Sequence, residues 1–364
     1  MKDIVIVAGA RDYHAVDWYR TIKKHIEDRK VLILTDLIDS EEFDVIVDNN
    51  DNIEKLFIID KFLFKKQSRL GSIWRNIFKL IVLPYQVYLL KKYVKRSNNN
   101  NIYHAQPMYY MFLCMLADVE YIGTPQGSEV LVRPYRSKLY RYFAIKALQS
   151  AKYVTVDSIN MKNEIFKLSG VNAIIIQNGV DTDTLVADNK KTRDKITSIR
   201  GMTELYRIDE ILKGRNNVDT SIPINFIYPF GDKKYKNNIL KIMQNNDNDL
   251  GRLDKKSLYN LLSESYLIIS IPISDSSPRS VYEAIFSGCC VAVTYNIWIE
   301  ALPQCMKERL YIVDLNDKEW FRKANEKAKL LLNIPYVASR EALEMFNQDK
   351  SMLKAIEILY NEKL

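Results

Sequence analysis

The stretch IISIPISDSSPRSVYEAIFSGCCVAV, residues 268–293, carries the pattern that decides the fold. An apolar run ends in a polar turn, Ser277 and Pro278 start a helix, and a second apolar run follows Gly288. Two buried strands joined by a helix form a βαβ unit of a parallel sheet. Ligands of open α/β sheets bind at the carboxyl ends of the strands, where a helix N-terminus offers free N–H groups to a phosphate. The stretch therefore predicts an α/β fold with an anion site at the turn.

The same alternation of apolar strands and helical patterns extends over most of the chain. A length of 364 residues exceeds the usual size of one hydrophobic core, so we expect two domains. Strands are predicted in the first half at 4–8, 31–34, 43–47, 56–59, 101–104, 121–123, 153–156 and 173–176. After a polar stretch at 188–195, strands are predicted at 196–199, 225–228, 267–271, 291–294 and 311–313. We predict two doubly wound parallel-sheet domains over 1–188 and 189–345. A C-terminal helix follows over 346–364, and a return of this helix to the first domain is one option.

Composition limits the class of protein. Hydrophobic residues make up 47% and charged residues 27%, as in soluble globular proteins. The chain opens on a strand pattern without a basic leader segment or a cleavage site, so we expect an intracellular protein. The four cysteines show no ligand spacing and are interpreted as structural thiols. No Gly-x-Gly-x-x-Gly follows either opening strand, which argues against a nicotinamide oxidoreductase.

The net charge of +8 is concentrated in the first half of the chain. Residues 61–96 hold ten Lys or Arg and no acid, interleaved with aromatic side chains and Pro84. A basic aromatic stretch of this kind suits an anionic membrane surface, on which it would lie without crossing. A solvated helical face whose aromatic rings pack on the sheet is the alternative, and a nucleic-acid surface also fits the charge.

Glu283 is a carboxylate on an otherwise apolar helix, and it needs a partner there. A ribose diol would satisfy it, as it satisfies an acidic residue in dinucleotide folds. The alternative is a structural Glu that is hydrogen-bonded to nearby backbone or paired with an Arg.

The region around Glu283 resembles the signature of glycosyltransferase family 4, whose members have the GT-B fold. The family mark is two acids eight positions apart, followed by Ala and by Gly before a strand. Asp275 and Glu283 hold the acid positions, with Asp275 in place of Glu, and Pro278, Ala284 and Gly288 follow in register. The resemblance implies two Rossmann-like domains that face a central cleft. It places the first acid near the donor sugar and diphosphate and the second on the nucleotide ribose.

Two further passages are similar to the same family. Residues 174–181, IIIQNGVD, match a Pro-Asn-Gly-Val-Asp segment that closes the first domain, with Asn178 near the cleft. Arg200 matches an Arg that holds the donor diphosphate. The family has a Lys about six residues later, where this chain has Tyr206. Arg207 is our prediction for the second cation, with Lys233 or Lys234 as alternatives. For Arg200 the structural alternative is a salt bridge at the surface or between domains.

The first domain matches through shorter passages. Gly9 lies in the loop that would approach the donor phosphates. Residues 124–129, TPQGSE, fall where family members reach the sugar, so Gly127 and Ser128 are predicted to line the cleft, with Glu129 as an acid on the acceptor side.

Three residues of the first domain are candidate acceptor contacts. His104 sits at a strand end, and a structural histidine is the alternative for it. His14 and Asp17 lie on the first helix, and a helix-start role is the alternative for both.

Taken together, the predicted sites fall into three groups. The catalytic set is Asp275, Arg200 and Glu129. The acceptor set is His14, Asp17 and His104. The donor set is Glu283, Arg200, Arg207, Ser276, Ser277, Pro278, Arg279, Gly9, Gly127, Ser128 and Asn178.

No bound metal or cofactor is predicted. Three scattered histidines form no ligand cluster, and Asp181-Thr-Asp183 is interpreted as turn chemistry within the Asn-Gly-Val-Asp passage. A nucleoside-diphosphate sugar, UDP-sugar by default, is the expected co-substrate.

The resemblance implies a metal-independent, retaining hexosyltransferase. The expected acceptor is a glycan or a polyprenyl-linked glycan in O-antigen or capsule-type polysaccharide synthesis, on the inner face of the plasma membrane. A GT-B-like protein that binds nucleotide sugar or glycan without turnover is the alternative.

Overall fold

The computed structural model describes residues 2–9, 12–35, 52–55, 69–97, 100–177, 179–185 and 192–360. The chain divides into two compact units: Met1–Asn178 with Asp349–Leu364, and Gly179–Gln348. The boundary expected from the sequence, between residues 188 and 189, lies outside the described residues, as do the strands expected at 43–47 and 56–59.

The first unit is built on a parallel sheet of seven strands. Their bounds are β1 Asp3–Val7, β2 Val31–Thr35, β3 Ile53–Lys55, β4 Asn101–Ala105, β5 Tyr121–Gly123, β6 Tyr153–Val156 and β7 Ile174–Ile175. The order across the sheet is β3-β2-β1-β4-β5-β6-β7, and every pairing is parallel. The central position of β1 follows from its apolar sequence, because a strand covered on both faces has no polar side to turn to water.

Helices of the first unit connect these strands. They are α1 Tyr13–His25, α2 Arg69–Arg96, α3 Met108–Leu116, α4 Gly127–Leu131, α5 Arg133–Arg136, α6 Lys138–Ser150 and α7 Ile159–Ser169. Successive residues of β1 belong to different apolar cores. Val5 and Val7 pack with α3 and α6, whereas Ile4 and Ile6 pack with α1. The sheet is therefore a middle layer between two apolar cores.

The second unit has a parallel sheet of six strands. Their bounds are β8 Lys195–Ser198, β9 Asn225–Ile227, β10 Asn248–Gly251, β11 Ser265–Ser270, β12 Cys290–Thr294 and β13 Leu310–Val313. Their order is β10-β9-β8-β11-β12-β13. The predicted doubly wound architecture is confirmed in both units.

Helices of the second unit cover both faces of its sheet. They are α8 Ile208–Asn216, α9 Lys233–Leu240, α10 Lys255–Glu264, α11 Arg279–Phe286, α12 Gln304–Lys307, α13 Trp320–Leu331 and α14 Arg340–Phe346, with 3-10 turns at Glu204–Tyr206 and Ile297–Ala301. The chain then returns to the first unit through α15 Gln348–Ala355 and a π-helical turn, Ile356–Tyr360.

The exposed edge strand β10, of sequence NDLG, is not among the strands predicted from the sequence. Its polar residues give no apolar run, because an edge strand need not be covered. A buried ion pair holds its start: Arg215 of α8 contacts Asp247 at 2.7 Å, and both side chains are fully inaccessible. Asp247 also accepts the backbone N–H groups of Ile224 and Gln244 at 3.0 and 2.8 Å. Long-range hydrogen bonds thus place a strand that local sequence does not encode.

None of the helices in the described ranges is long and apolar enough to span a bilayer.

Candidate donor site

A cavity of about 230 Å³ opens at the carboxyl edge of the second sheet. Its walls come from the residues after β8, β9 and β10 and from one face of α11. The lining residues are Ile199, Arg200, Gly201, Tyr206, Ile227, Tyr228, Pro229, Phe230, Gly251, Arg252, Leu253, Leu258, Leu262, Ser280 and Glu283. Arg200 and Glu283, far apart in sequence, therefore meet at one site. We call it the donor pocket.

Arg200 is fixed from three sides. Its guanidinium forms an ion pair with Asp275, donates to the Ser280 hydroxyl at 2.9 Å, and lies 4.8 Å from the centre of the Tyr206 ring. Tyr206, which replaces the expected Lys, thus supports the cation through its π face. A Cβ at Gly201 would lie 2.6 Å from the Phe230 ring, so any side chain at this position would require that ring to move.

Asp275 lies at the amino end of α11 beside Arg200. Its backbone N–H donates to Asn296 at 3.2 Å, and its carboxylate accepts the N–H of Ser276 at 2.9 Å. Burial raises the pKa of Asp275, and the charge of Arg200 opposes that rise. In this structure the Asp275 carboxylate is therefore paired with Arg200, the cation that the family resemblance assigns to the donor diphosphate.

Glu283 is 8% exposed and faces the donor pocket. It accepts a hydrogen bond from the Tyr259 hydroxyl at 3.2 Å and lies 3.3 Å from the guanidinium of Arg279. Burial raises its pKa, while Arg279 and Tyr259 oppose the rise. Glu283 is thus paired with an Arg, as expected for a structural Glu, and it also lines the donor pocket.

The other residues of the polar turn form the start of α11. Pro278 is the N-cap residue of the helix, and the adjoining Ser276 and Ser277 are partly exposed. The sequence placed the helix start one to two residues earlier, within the usual spread of helix ends.

Arg207, predicted as the second cation of the site, is not among the residues that line the donor pocket. Arg207 adopts a left-handed backbone conformation at φ 51° before α8. It lines a separate depression together with Glu204, Asp209 and Glu210. Lys233 and Lys234 are exposed at the start of α9. The lining of the donor pocket includes a further guanidinium group, that of Arg252, which follows β10.

In the first unit, Glu129 caps the start of α4, the helix on which it lies. Gln126 and Glu129 form a capping box around Gly127 and Ser128, and the Glu129 carboxylate accepts the N–H groups of Gln126 and Met108 at 3.0 and 2.9 Å. Burial raises its pKa, whereas these hydrogen bonds oppose the rise. The contacts favour a structural role for this buried acid.

His104 is fully buried in the first unit. Its ring nitrogens contact the hydroxyls of Tyr360 and Thr124, the latter at 2.7 Å. Burial lowers its pKa to about 3, so it is neutral. These contacts favour the structural alternative for His104.

His14 and Asp17 lie on α1, as expected. The N-cap of this helix is Asp12, which accepts the His14 N–H at 3.1 Å, so His14 lies in the first turn and Asp17 follows about one turn later.

The Asn-Gly passage, where a turn was predicted, is described only from Gly179 onward. Asn178 itself lies outside the described residues. Gly179 has φ 69°, and a Cβ there would lie 2.4 Å from the Cα of Gln348, so only glycine fits. Asp181 accepts hydrogen bonds from Thr184 and pairs with Lys255 at 2.8 Å. Within the described part of the chain, no three His, Cys, Asp or Glu side chains are grouped as metal ligands.

Comparison with known proteins shows similarity in structure alone. No family model matches the chain, and no curated protein matches it. A solved structure of Anabaena HepE in complex with UDP and glucose superposes with a TM-score of 0.73 at 12% identity, over 99% of this chain and 100% of that one. A Rickettsia africae glycosyltransferase gives 0.72 at 15% identity, over 98% and 97%. The lipopolysaccharide outer core galactosyltransferase WaaB gives 0.66 at 12%, over the full length of both chains. The chain has the GT-B fold.

In this GT-B chain, three residues that line the donor pocket or hold its side chains were not predicted as site residues. Tyr259, which holds Glu283, lies on α10, and Arg252 follows the polar edge strand β10. Tyr206 was noted only as a departure from the expected Lys. No local signal marks these residues, because what makes them neighbours of Arg200 and Glu283 is the order of strands in the sheet.

Proposed function

We propose that this protein is a glycosyltransferase that moves a hexose from a nucleoside-diphosphate sugar to a glycan or lipid-linked glycan. The observation that carries the proposal is the convergence of Arg200 and Glu283 on one cavity of nucleoside size at the carboxyl edge of the second sheet. The proposal includes retention of configuration and a role in polysaccharide synthesis of the O-antigen or capsule type, as the family resemblance implies.

In the proposed complex, the base lies between the apolar and aromatic walls, with Phe230 and Leu253 among them. The ribose hydroxyls donate to Glu283. The diphosphate lies against Arg200, Arg252 and the amino end of α11, where helix N–H groups and two guanidinium groups favour negative charge.

The diphosphate must compete for Arg200 with Asp275. Arg200 carries five N–H donors, of which one on Nη1 contacts Ser280 and one on Nη2 contacts Asp275. When the bond between sugar and diphosphate breaks, negative charge grows on the leaving oxygen. A guanidinium that is already fixed by Tyr206 stabilises that charge without reorganisation. Asp275, next to this cation, is our proposal for the acid near the donor sugar.

Uridine is the proposed base, because HepE was solved with UDP and with UDP-glucose. The proposed setting is the surface of an anionic membrane, supported by α2, whose 28 residues include no acid.

The proposal is tested by measuring the thermal shift of the purified protein with a panel of nucleoside-diphosphate sugars. A donor at 100 times its dissociation constant should stabilise the protein by about 2.7 kcal/mol. A UDP-sugar that stabilises the protein and is transferred or slowly hydrolysed supports a transferase. Binding without either reaction would identify a non-catalytic nucleotide-sugar protein, and no shift with any donor would refute the proposal.

A further inference from the structure

The loop that follows β11, residues 271–278, carries Asp275 and leads into α11. We call it the β11 loop. Strands β8 and β11 are neighbours at the centre of the sheet, with β9 and β10 beyond β8 and with β12 and β13 beyond β11. Ligands of open parallel sheets bind at such a switch point in strand order. The conformation of the β11 loop therefore decides where the Asp275 carboxylate lies relative to a bound donor.

Two hydrogen bonds hold the first half of the β11 loop. The Thr294 hydroxyl, at the end of β12, donates to the carbonyl of Pro272 at 2.8 Å. The Ile273 N–H donates to the carbonyl of Leu205 at 2.8 Å. Leu205 belongs to the 3-10 turn Glu204–Tyr206, whose last residue lines the donor pocket. The loop is thus tied to β12 through one bond and to the wall of the donor pocket through the other.

Asn296 holds the second half of the loop through its side-chain amide. Its Oδ1 accepts the backbone N–H of Asp275 at 3.2 Å, and its Nδ2 donates to the carbonyl of Thr294 at 3.2 Å. A side-chain amide offers an acceptor and a donor in one rigid group, whereas an ionised carboxylate offers acceptors alone. The bond to Thr294 fixes the amide to the end of β12. The acceptor for the Asp275 N–H is therefore held in place by the sheet.

The Asp275 side chain is held separately from its backbone. One carboxylate oxygen accepts from the Arg200 guanidinium, and the other accepts the Ser276 N–H at 2.9 Å. In the proposed complex the donor diphosphate competes for Arg200, so the carboxylate loses a partner when the donor binds. The bond from Asn296 to the Asp275 backbone does not involve Arg200, and this exchange leaves it intact. After the exchange, the place of the carboxylate depends on the backbone that Asn296 holds.

Tyr295, between the two residues that reach the β11 loop, points elsewhere. Its side chain is 60% exposed, and its hydroxyl donates to Glu300 at 2.9 Å. The turn after β12 thus sends its first and third side chains, Thr294 and Asn296, to the β11 loop and its second to the surface. Tyr295 therefore provides a matched control on the same turn.

We propose that Asn296 is a positioning residue of the transfer reaction. It holds the backbone of Asp275 so that the carboxylate meets the donor sugar once the diphosphate has taken Arg200. Thr294 assists by fixing the loop at Pro272. The inference rests on the proposed function, because Asp275 has a sugar to meet only in a nucleotide-sugar complex. Asn296 lies outside the passages that resemble the glycosyltransferase family, so the resemblance gives it no role.

Asn296→Ala should separate donor binding from turnover. Turnover of the UDP-sugar identified by thermal shift should fall about ten- to a hundredfold, because displacing a catalytic group by about 1 Å can cost that much in rate. The affinity for UDP, which carries no sugar, should stay within about threefold of the wild-type value, since Asp275 makes no favourable contact with UDP. A residue that merely keeps the pocket folded would lower UDP affinity and turnover together.

Two further variants complete the comparison. Tyr295→Phe removes a hydrogen bond from the same turn and should change neither turnover nor UDP affinity. Thr294→Val keeps the volume and the backbone carbonyl that holds Asn296, but removes the bond to Pro272. It should lower turnover less than Asn296→Ala does, again with UDP affinity unchanged. It also carries the test if Asn296→Ala does not fold.

Hydrogen exchange of a peptide that covers residues 271–278, followed by mass spectrometry, reports the tie without any activity. Exchange should be faster in Asn296→Ala than in the wild-type protein or in Tyr295→Phe. Equal exchange in the three proteins would overturn the inference, as would unchanged turnover or parallel losses of turnover and UDP affinity in Asn296→Ala. A wild-type protein that neither binds UDP nor turns over a UDP-sugar would refute the proposed function, whereas the exchange comparison reports the tie in either case.

Discussion

Glu283 combines a structural role in the buried face of α11 with a proposed role in ligand binding. Its carboxylate is held by Tyr259 and Arg279 and also lines the donor pocket. The two partners offset part of the cost of keeping this buried acid charged, and a charged acceptor binds hydroxyl donors more strongly than a neutral one.

Glu283→Gln should therefore lower the affinity for UDP-glucose while the protein stays folded. The substitution keeps the volume and removes the charge, and a charge-assisted hydrogen bond contributes about 1.5–3 kcal/mol, so affinity should fall about ten- to a hundredfold. Calorimetric titration and melting temperature are both measured. Tyr259→Phe, which removes the hydroxyl and keeps the charge, serves as the control and should have the smaller effect on affinity. A lowered melting temperature with unchanged affinity would assign Glu283 a structural role alone.

The affinity for UDP-glucose should also depend on pH through Glu283. Burial raises the pKa of this carboxyl above its usual range, and the charged form is the better acceptor. Affinity should thus fall as pH drops through that raised pKa, at a higher pH than for an exposed Glu. Asp275, whose pKa is also raised, acts in the opposite sense, because its protonation frees Arg200.

The difference between the wild-type protein and Glu283→Gln isolates the contribution of Glu283. UDP-glucose has no terminal phosphate, so the ligand does not titrate near pH 6 as a phosphate monoester does. If the wild-type protein and the variant show parallel pH profiles, Glu283 is not the titrating group.

At the level of elements, β10 shows how an exposed edge strand is fixed. Its two neighbouring acids make contrasting ion pairs: Asp247 is fully buried with Arg215, whereas Asp249 contacts Lys236 at 2.8 Å at the surface. Because β10 ends at Gly251, directly before Arg252, its anchoring also positions a wall of the donor pocket.

Asp247→Asn should destabilise the second unit by about 3–5 kcal/mol, because it leaves the Arg215 charge buried without a counter-charge. Asp249→Asn removes a partly exposed pair and should cost about 1 kcal/mol or less. Urea unfolding of both variants provides the comparison. Similar losses in the two would mean that Arg215 finds another partner or reaches water.

At the scale of the whole molecule, each unit has a cavity at the carboxyl edge of its own parallel sheet. Two Arg side chains and a helix N-terminus adjoin the cavity of the second unit. In the proposed reaction, these fixed charges carry the stabilisation of the leaving group that a divalent cation supplies in other transferases.

Transfer should therefore persist in excess EDTA. This expectation comes from the family resemblance and from the charged groups of the donor pocket. Product formation from the UDP-sugar identified by thermal shift is measured with and without chelator. Arg200→Lys is measured in the same way as a sensitised control, because lysine lacks the forked donor geometry of the guanidinium group. Loss of activity in EDTA that Mg²⁺ or Mn²⁺ restores would contradict metal independence.

The sequence by itself indicated two parallel-sheet units and, to within two residues, the start of α11. Strands such as β1 and β11 are buried on both faces, so their apolar runs are visible without knowledge of any neighbour. The positions of Asp275 and Glu283 about the amino end of α11 likewise follow from the local pattern and its resemblance to a known signature.

Only the tertiary structure decided which side chains meet these groups. Arg252 reaches the donor pocket because a polar strand, held by a buried ion pair, forms the edge of the sheet next to β9. Glu129 and His104 are buried against partners that are distant in sequence, the Met108 backbone N–H for Glu129 and the Tyr360 hydroxyl for His104. Periodicity reports whether a side chain is buried, whereas its partners depend on strand order and on the packing of remote elements, which no local pattern encodes.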